Sequence, residues 1–498
     1  MSGQSFGIVY EPLVYDNLLN DAKTPWLASD YSWSGDATTL TFTIRPGVQW
    51  SDGQAFTAED VVFTFNLLYQ HPELDVQSDW LVLSSVKQQG ADKVVMAFKK
   101  PAVPSFYEIA SQTAIIPQHI WSGYANPGTQ VIKAPVGTGP FTMSKCTPQS
   151  IKFSRNSAYW QKGLPYIDTV NYPAFVDNDA ANLSLGLGEA QWGGQFIPNI
   201  DTYYVAKDAS HNKYWFPPID NINVWFNVQR SPFSNKLVRQ AFAYAIDRAR
   251  VSEKGEYGYE PAGNQTGVIS PTFDSWIDKG QAAKYSYRFD PGKAAGLLQK
   301  AGYTKGSSGI YQDSSGKKLS FSIINIGGYA DWVASVRLIQ EDLKQVGIEL
   351  KAQNLVSSAY FDKLLTGDFD LAYGSLNTPP GPTPYQELRN TLDSATTAPL
   401  GATAAGDYGR YSNPAADTLL DQFGATTDSA KQHDLISQLE AIMLEDVPVI
   451  PVTEGVAWYE YSTLDYAGWP TPRNPYAAPA PWNVPDWEVV LIHLHTTR

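Results

Sequence analysis

The chain has one cysteine, Cys146, in 498 residues. No disulfide can close within it, and no thiolate cluster can hold a metal. Histidine is scarce too, at six and scattered. His493 and His495 read as sharing a strand face, but they lack acidic companions, which argues against a zinc site. Positive charge is the minority sign: 36 Lys and Arg against 50 Asp and Glu give a net charge of −14. Nucleic acid and anionic membrane reward clustered cations, so this balance argues against both as partners. No run of about 18 apolar residues is present, so no segment reads as a spanning helix. A nucleophile elbow, a phosphate-binding glycine loop and a zinc helix motif are also missing. Gly137-Thr138-Gly139 is too short for a dinucleotide loop. Adjacent acids such as Glu59-Asp60 are common, but a glycosidase needs two carboxyls at a fixed separation across a cleft. A hydrolase therefore stays a remote alternative, and no cofactor is implied.

What the chain has is length and aromatics. A prior of about 150 residues per domain suggests roughly three domains. Leu40, Phe42 and Ile44 alternate with Thr41 and Thr43, the period of a half-buried strand. Arg45-Pro46-Gly47 turns the chain, Val48 to Trp50 reads as a return strand, and Thr57 caps a helix with Asp60 completing a variant capping box. Asn178 to Gly188 has helical spacing at Leu183 and Leu187, and Ile222 to Val228 reads as a strand. From Asn235 onward strands and helices alternate. Asp290-Pro291 opens one helix and Asp331 caps another, whose stripe is Trp332, Val336, Ile339, Leu343 and Val346. This alternation predicts α/β layering on a largely parallel sheet. Val449 to Tyr461 reads as two extended segments, and the tail closes with an extended Val489 to Leu494.

Four literal stretches say more. They are Leu40 to Phe65; Val136-Gly137-Thr138-Gly139-Pro140-Phe141 with Arg155-Asn156 and Tyr159-Trp160; Val238-Arg239-Gln240-Ala241 through Asp247-Arg248; and Phe289-Asp290-Pro291 through Ala301-Gly302-Tyr303. Together they resemble, in order, the markers of the bacterial extracellular solute-binding proteins of family 5, the oligopeptide and dipeptide receptors of ABC importers. The resemblance implies a two-lobed periplasmic-binding-protein fold with an extra α+β domain, the lobes joined by a two-segment hinge. It places the first lobe at 1–13, 163–229 and 462–498, the extra domain at 14–162 and the other lobe at 230–461. Gln229 to Pro232 becomes the first crossover. It also implies a monomer that closes on a small-molecule ligand and docks on a membrane permease. Family members carry a leader and a further stretch ahead of the segment resembling Tyr10-Glu11-Pro12-Leu13. Neither is readable in Met1 to Gly7, so a trimmed start is expected. An extracytoplasmic location, periplasmic or lipid-anchored at the outer face of the membrane, rests on the resemblance.

Peptide-binding members pair the peptide ammonium with an Asp in an Asp-Tyr-Pro-Asp-Pro-like segment. The corresponding stretch, Gly374 to Tyr385, contains no acid, and a buried ammonium without a counter-charge is costly. Aromatics point elsewhere, with 15 Trp and 29 Tyr. An indole face suits the C–H face of a pyranose, and Asn, Gln and Asp suit its hydroxyl rim. Asp331-Trp332, after Gly327-Gly328-Tyr329, resembles a feature of the family's cello-oligosaccharide-binding branch. The favoured ligand is a neutral, β-linked oligosaccharide, with an oligopeptide as the alternative. Candidate contacts are Trp192, Trp215, Trp225, Asn227, Tyr329, Asp331, Trp332, Asn377, Tyr385 and Trp458. Each has a bland reading. Trp332 lies on its helix's apolar stripe, Trp215 and Trp225 flank a strand, Asn227 can bond its own backbone, and Tyr329, Asn377 and Tyr385 sit in turn-rich loops. Trp50, Trp160, Trp469, Trp482 and Trp487 read as structural.

Overall fold

The computed structural model describes residues 6–20, 22–375 and 381–497. Its largest sheet has five strands in the spatial order Glu349–Leu355, Ser320–Ile326, Leu371–Gly374, Pro218–Phe226, Val449–Val456. The first three run parallel, as alternation with helices requires. Pro218–Phe226 runs antiparallel to both its neighbours, Leu371–Gly374 and Val449–Val456, so four strands share one direction and the sheet is mixed through this single reversed strand. Helix Ala330–Val346 lays the predicted stripe on this sheet and ends at Gly347, whose φ of 106° favours glycine. Asp331 is the second helical residue, and the capping position falls to Tyr329.

The strand expected to leave the first lobe already belongs to this second-lobe sheet. The first crossover therefore lies before it, at Trp215 to Pro217, and not at Gln229 to Pro232. There the two connecting segments bond each other, Trp215 N to Tyr459 O at 3.0 Å and Ala457 N to Pro217 O at 2.8 Å. Glu460–Ser462 then pairs with Trp192–Gly193 and Asn212–Tyr214 in the first lobe.

A four-stranded antiparallel sheet, Ala28–Trp33, Thr39–Ile44, Lys93–Phe98 and Leu83–Gln89 in spatial order, carries the extra α+β domain. Thr57 and Asp60 form the expected capping box on helix Ala58–Gln70. Val48 to Trp50 is not a strand, and only the bridge Gln49 to Ala55 forms. The boundary expected after Lys162 falls within a second sheet, in which Ser150–Arg155 pairs with Thr169–Pro173. The glycines of the second marker are required by close approach: a Cβ on Gly137 would lie 1.8 Å from Val9 O, and one on Gly139 would lie 2.5 Å from Ile8 O.

Two further expectations fail. Val489 to His493 is not extended but lies in helix Asp486–His493, with only its cap, Leu494, extended, so His493 and His495 share no strand face. This run is buried on all sides, and a continuous apolar stretch does not reveal its period. Helix Asn178–Gly186 forms, but Leu183 and Leu187 are 64% and 65% exposed and Leu185 is its buried anchor.

Candidate functional site

In open α/β sheets ligands bind outside the carboxyl ends of the strands. Here those ends are Ile326, which leads through Gly327-Gly328 into helix Ala330–Val346, and Gly374. The edge meets the first lobe. Asn178 Nδ2 donates to Asp331 Oδ1 at 3.4 Å, and a Cβ on Gly328 would lie 3.0 Å from Val176 O. A second meeting point is aromatic. Tyr257 and Tyr259 of the second lobe pack on Phe196 of the first, with centroids 5.8 and 6.2 Å away. Tyr259 Oη accepts the Ile200 N–H at 3.0 Å. Each crossover adds a ring to this group, Phe216 and Trp458, 4.9 Å apart. The cluster thus joins both lobes and both hinge segments, and its geometry must change when they move.

Tyr257 stands out within it. Its φ is 55°, in the left-handed region that bulky residues avoid, yet its side chain is 47% exposed. Strain held at an exposed aromatic is a signature of a working position.

Beneath the sheet edge lies an acidic group. Glu256, Glu260 and Asp331 are buried together with Asn325, Ser335, Tyr373 and Thr453. Ser335 donates to Glu256 at 2.6 Å and Thr453 donates to Glu260 at 2.6 Å. Among the described residues, Glu256 Oε2 and both amide atoms of Asn325 have no hydrogen-bond partner. Burial raises the Asp331 carboxyl to about 6. Burial, then the charges of Asp331 and Asp220, raise Glu260 to about 8. Burial and the same neighbourhood of carboxylates push Glu256 well above the usual range.

The structure scatters the sequence candidates. Trp458 sits in the hinge cluster. Tyr329, 39% exposed, stands at the sheet edge with its ring 5.1 Å from Trp332. Trp332 itself does not project from the lip: it is buried against Tyr360 and Tyr373, because its place on the apolar stripe wins. Trp225 is buried in the second-lobe core, with its indole N–H on Gly374 O at 3.3 Å. Asn227 is also buried and spends its amide on Gly367 O at 2.9 Å. Tyr385 stacks on Phe423 at 4.8 Å, under the first turn of its helix. Trp215 packs beside the crossover against the first-lobe core. Trp192 lines a separate first-lobe cavity. Asn377 lies outside the described residues. Sequence reasoning passed over Phe196, Phe216, Tyr257 and Tyr259; the one available signal was Tyr257-Gly258-Tyr259, aromatics around a turn-forming glycine.

A two-lobed α/β fold with paired crossovers, and a seam where the lobes meet over a sheet edge, is the architecture of a periplasmic-type binding protein. The chain matches the profile of the bacterial extracellular solute-binding proteins, family 5 (middle region), across residues 23–399, and it belongs to that family. It is 23% identical to the nickel-binding periplasmic protein of Escherichia coli K12, over 90% of this chain and 83% of the relative. It is 26% identical to the oligopeptide-binding protein AppA of Bacillus subtilis, over 81% and 73%. A mannohexaose-bound periplasmic oligopeptide-binding protein from Thermotoga maritima superposes with a TM-score of 0.90 at 27% identity, covering 99% of this chain and 94% of its own. The protein is a solute-binding receptor of an ABC importer and not an enzyme, and the family to which it belongs works outside the cytoplasm.

Proposed function

We propose that the protein captures a neutral, β-linked oligosaccharide between its lobes and presents the closed form to a membrane permease. The observation that carries this reading is the aromatic cluster of Phe196, Phe216, Tyr257, Tyr259 and Trp458, drawn from both lobes and both hinge segments. Exposed ring faces of Tyr257 and Tyr329 suit pyranose C–H faces, while Glu256 Oε2 and Asn325 Oδ1, acceptors with no partner among the described residues, suit hydroxyl donors. A guest touching both lobes favours only the closed state, and so shifts the population toward it. The mannohexaose-bound relative supports a sugar ligand.

One observation favours the oligopeptide alternative. Asp331, raised only to about 6, is ionised at neutral pH and offers a negative charge that the stretch from Gly374 to Tyr385 lacks, while Glu256 and Glu260 beside it hold their protons. The test is a panel of cello-, manno-, xylo- and chito-oligosaccharides set against mixed peptides, read by tryptophan fluorescence and by the radius of gyration in solution scattering. Saturable compaction by a sugar with no product released is expected. Compaction by peptides alone would overturn the sugar assignment.

A further inference from the structure

The first lobe contains a cavity of about 360 Å³ whose lining residues all fall within 167–195 or 466–494. None comes from the five-stranded lobe, so the cavity is complete whether the lobes are open or shut. Small-molecule sites run from about 300 to 1,000 Å³, which places this one at the single-ring end. Four indoles line it, and each N–H is already spent on a backbone carbonyl. Trp192 donates to Pro479 O at 2.9 Å, Trp469 to Tyr466 O at 3.0 Å, Trp482 to Gly194 O at 2.9 Å and Trp487 to Phe6 O at 2.6 Å. Trp469 and Trp487 are buried, so the half-buried Trp192 and the exposed Trp482 offer the ring surface, and no indole offers a donor. Its polar lining includes the exposed Asn171 and Glu189 and the half-buried Gln191, whose amide also donates to Gly188 O at 3.4 Å. Trp482 is 44% exposed and Phe175 is 42% exposed beside them. Apolar ring surface with polar groups alongside matches a pyranose, whose faces are C–H and whose edge is hydroxyl. An alkyl or aryl guest would leave those polar groups without a use.

We infer that this cavity is a second carbohydrate site, holding one sugar ring on the first lobe independently of closure. The choice of a sugar rests on the oligosaccharide reading of the cleft; the location does not. Such a site would retain a chain end on the open receptor and raise its local concentration at the cleft.

The test uses methyl α-mannopyranoside and methyl β-glucopyranoside, single rings too short to bridge the lobes, titrated into the full chain by calorimetry with solution scattering in parallel. Saturable binding without compaction is expected for at least one of them. Trp482→Ala should weaken it about fivefold, and Asn171→Ala, at an exposed position, should weaken it about twofold with an unchanged melting temperature. Neither substitution should prevent compaction by a hexasaccharide. Absence of glycoside binding, binding indifferent to both substitutions, or binding of an aryl probe alone would overturn the site. If glycosides bind but no hexasaccharide compacts the protein, the cleft reading fails and this one stands; compaction without glycoside binding sinks only this one.

Discussion

Two groups of buried carboxylates divide the molecule. In the first lobe Glu11 and Glu488 face each other amid donors. Trp26 reaches Glu11 at 2.7 Å and Glu488 at 3.3 Å. Tyr159 reaches them at 3.1 and 3.3 Å, and Trp160 donates to both Glu11 oxygens at 3.0 and 3.1 Å. Burial raises both acids, and the Glu11 charge raises Glu488 further, so Glu488 keeps the proton that Glu11 accepts. Together these bonds tie the N-terminal segment, the second marker and the last helix to one another. In the second lobe Glu256, Glu260 and Asp331 are as deeply buried, but an oxygen of Glu256 and the neighbouring Asn325 amide find no partner among the described residues. Native interiors leave few such groups, and those that remain need a reason. A saturated acid pair is a joint. An unsaturated group beside the seam between lobes has bonding capacity left for a guest or for water.

Breaking the joint should have the largest effect. Glu11→Leu strips the acceptor from three buried donors and leaves Glu488 beside them. The expected loss is about 3–5 kcal/mol, read as a lower urea midpoint at constant slope. A loss below about 1 kcal/mol would mean the donors re-pair and the contrast with the second lobe is empty.

The second-lobe group should give a pH dependence that a single substitution can isolate. Asp331 titrates at about 6 and Glu260 at about 8 in the fold, against ordinary values of 3.8 and 4.5. Between pH 4 and 8 the fold holds protons that the unfolded chain has lost. Stability from these groups is therefore complete at low pH and falls as pH rises through that window, by at most about 1.4 kcal/mol per pH unit for each proton. Glu260→Gln removes one such proton and should flatten the upper half of the window. Urea unfolding of both proteins at pH 5 and pH 8 measures this; equal slopes would refute it.

The joint was legible in the sequence and the unsaturated group was not, for a physical reason. Tyr159-Trp160, Gly137 and Gly139 stand in contiguous markers because each meets one fixed partner: Glu11, Val9 O or Ile8 O. Arg239 and Arg248 in the third marker are likewise spent on the backbone of the return strand and of the segment leading into it, Arg239 on Val447 O at 2.9 Å and Arg248 on Pro451 O at 2.7 Å. Such marks reveal a family and its fold, but they describe packing. The seam instead gathers Phe196, Phe216, Tyr257 and Trp458 from four distant stretches, and only tertiary structure brings them together. Trp225 and Trp332 misled because an aromatic on a strand or an apolar stripe reads the same whether it meets a ligand or the core. Asn227 misled because a polar side chain can satisfy local backbone.

Tyr257→Gly sharpens the comparison by separating stability from binding. Glycine accepts the positive φ at no steric cost, so the free protein should gain about 1 kcal/mol in urea unfolding. The same change removes a ring from the cleft and should weaken oligosaccharide binding about tenfold, close to 1.4 kcal/mol. Opposite signs are the diagnostic. If stability and affinity fall together, Tyr257 is packing and not a contact.

The smallest effect concerns the seam alone. Gly328 has room for a methyl group on its own lobe, and the nearest atom to a Cβ there is Val176 O of the other lobe, at 3.0 Å. That contact exists only while the lobes are together. Gly328→Ala should leave unfolding of the free protein unchanged while weakening ligand binding about threefold, near 0.6 kcal/mol, as Val176 gives way by a few tenths of an ångström. The loss should appear in the dissociation rate, since the clash acts after closure and not on encounter. Unchanged affinity would mean the ligand-bound seam is wider than this one, and the bond from Asn178 to Asp331 at 3.4 Å would then have no part in holding the guest.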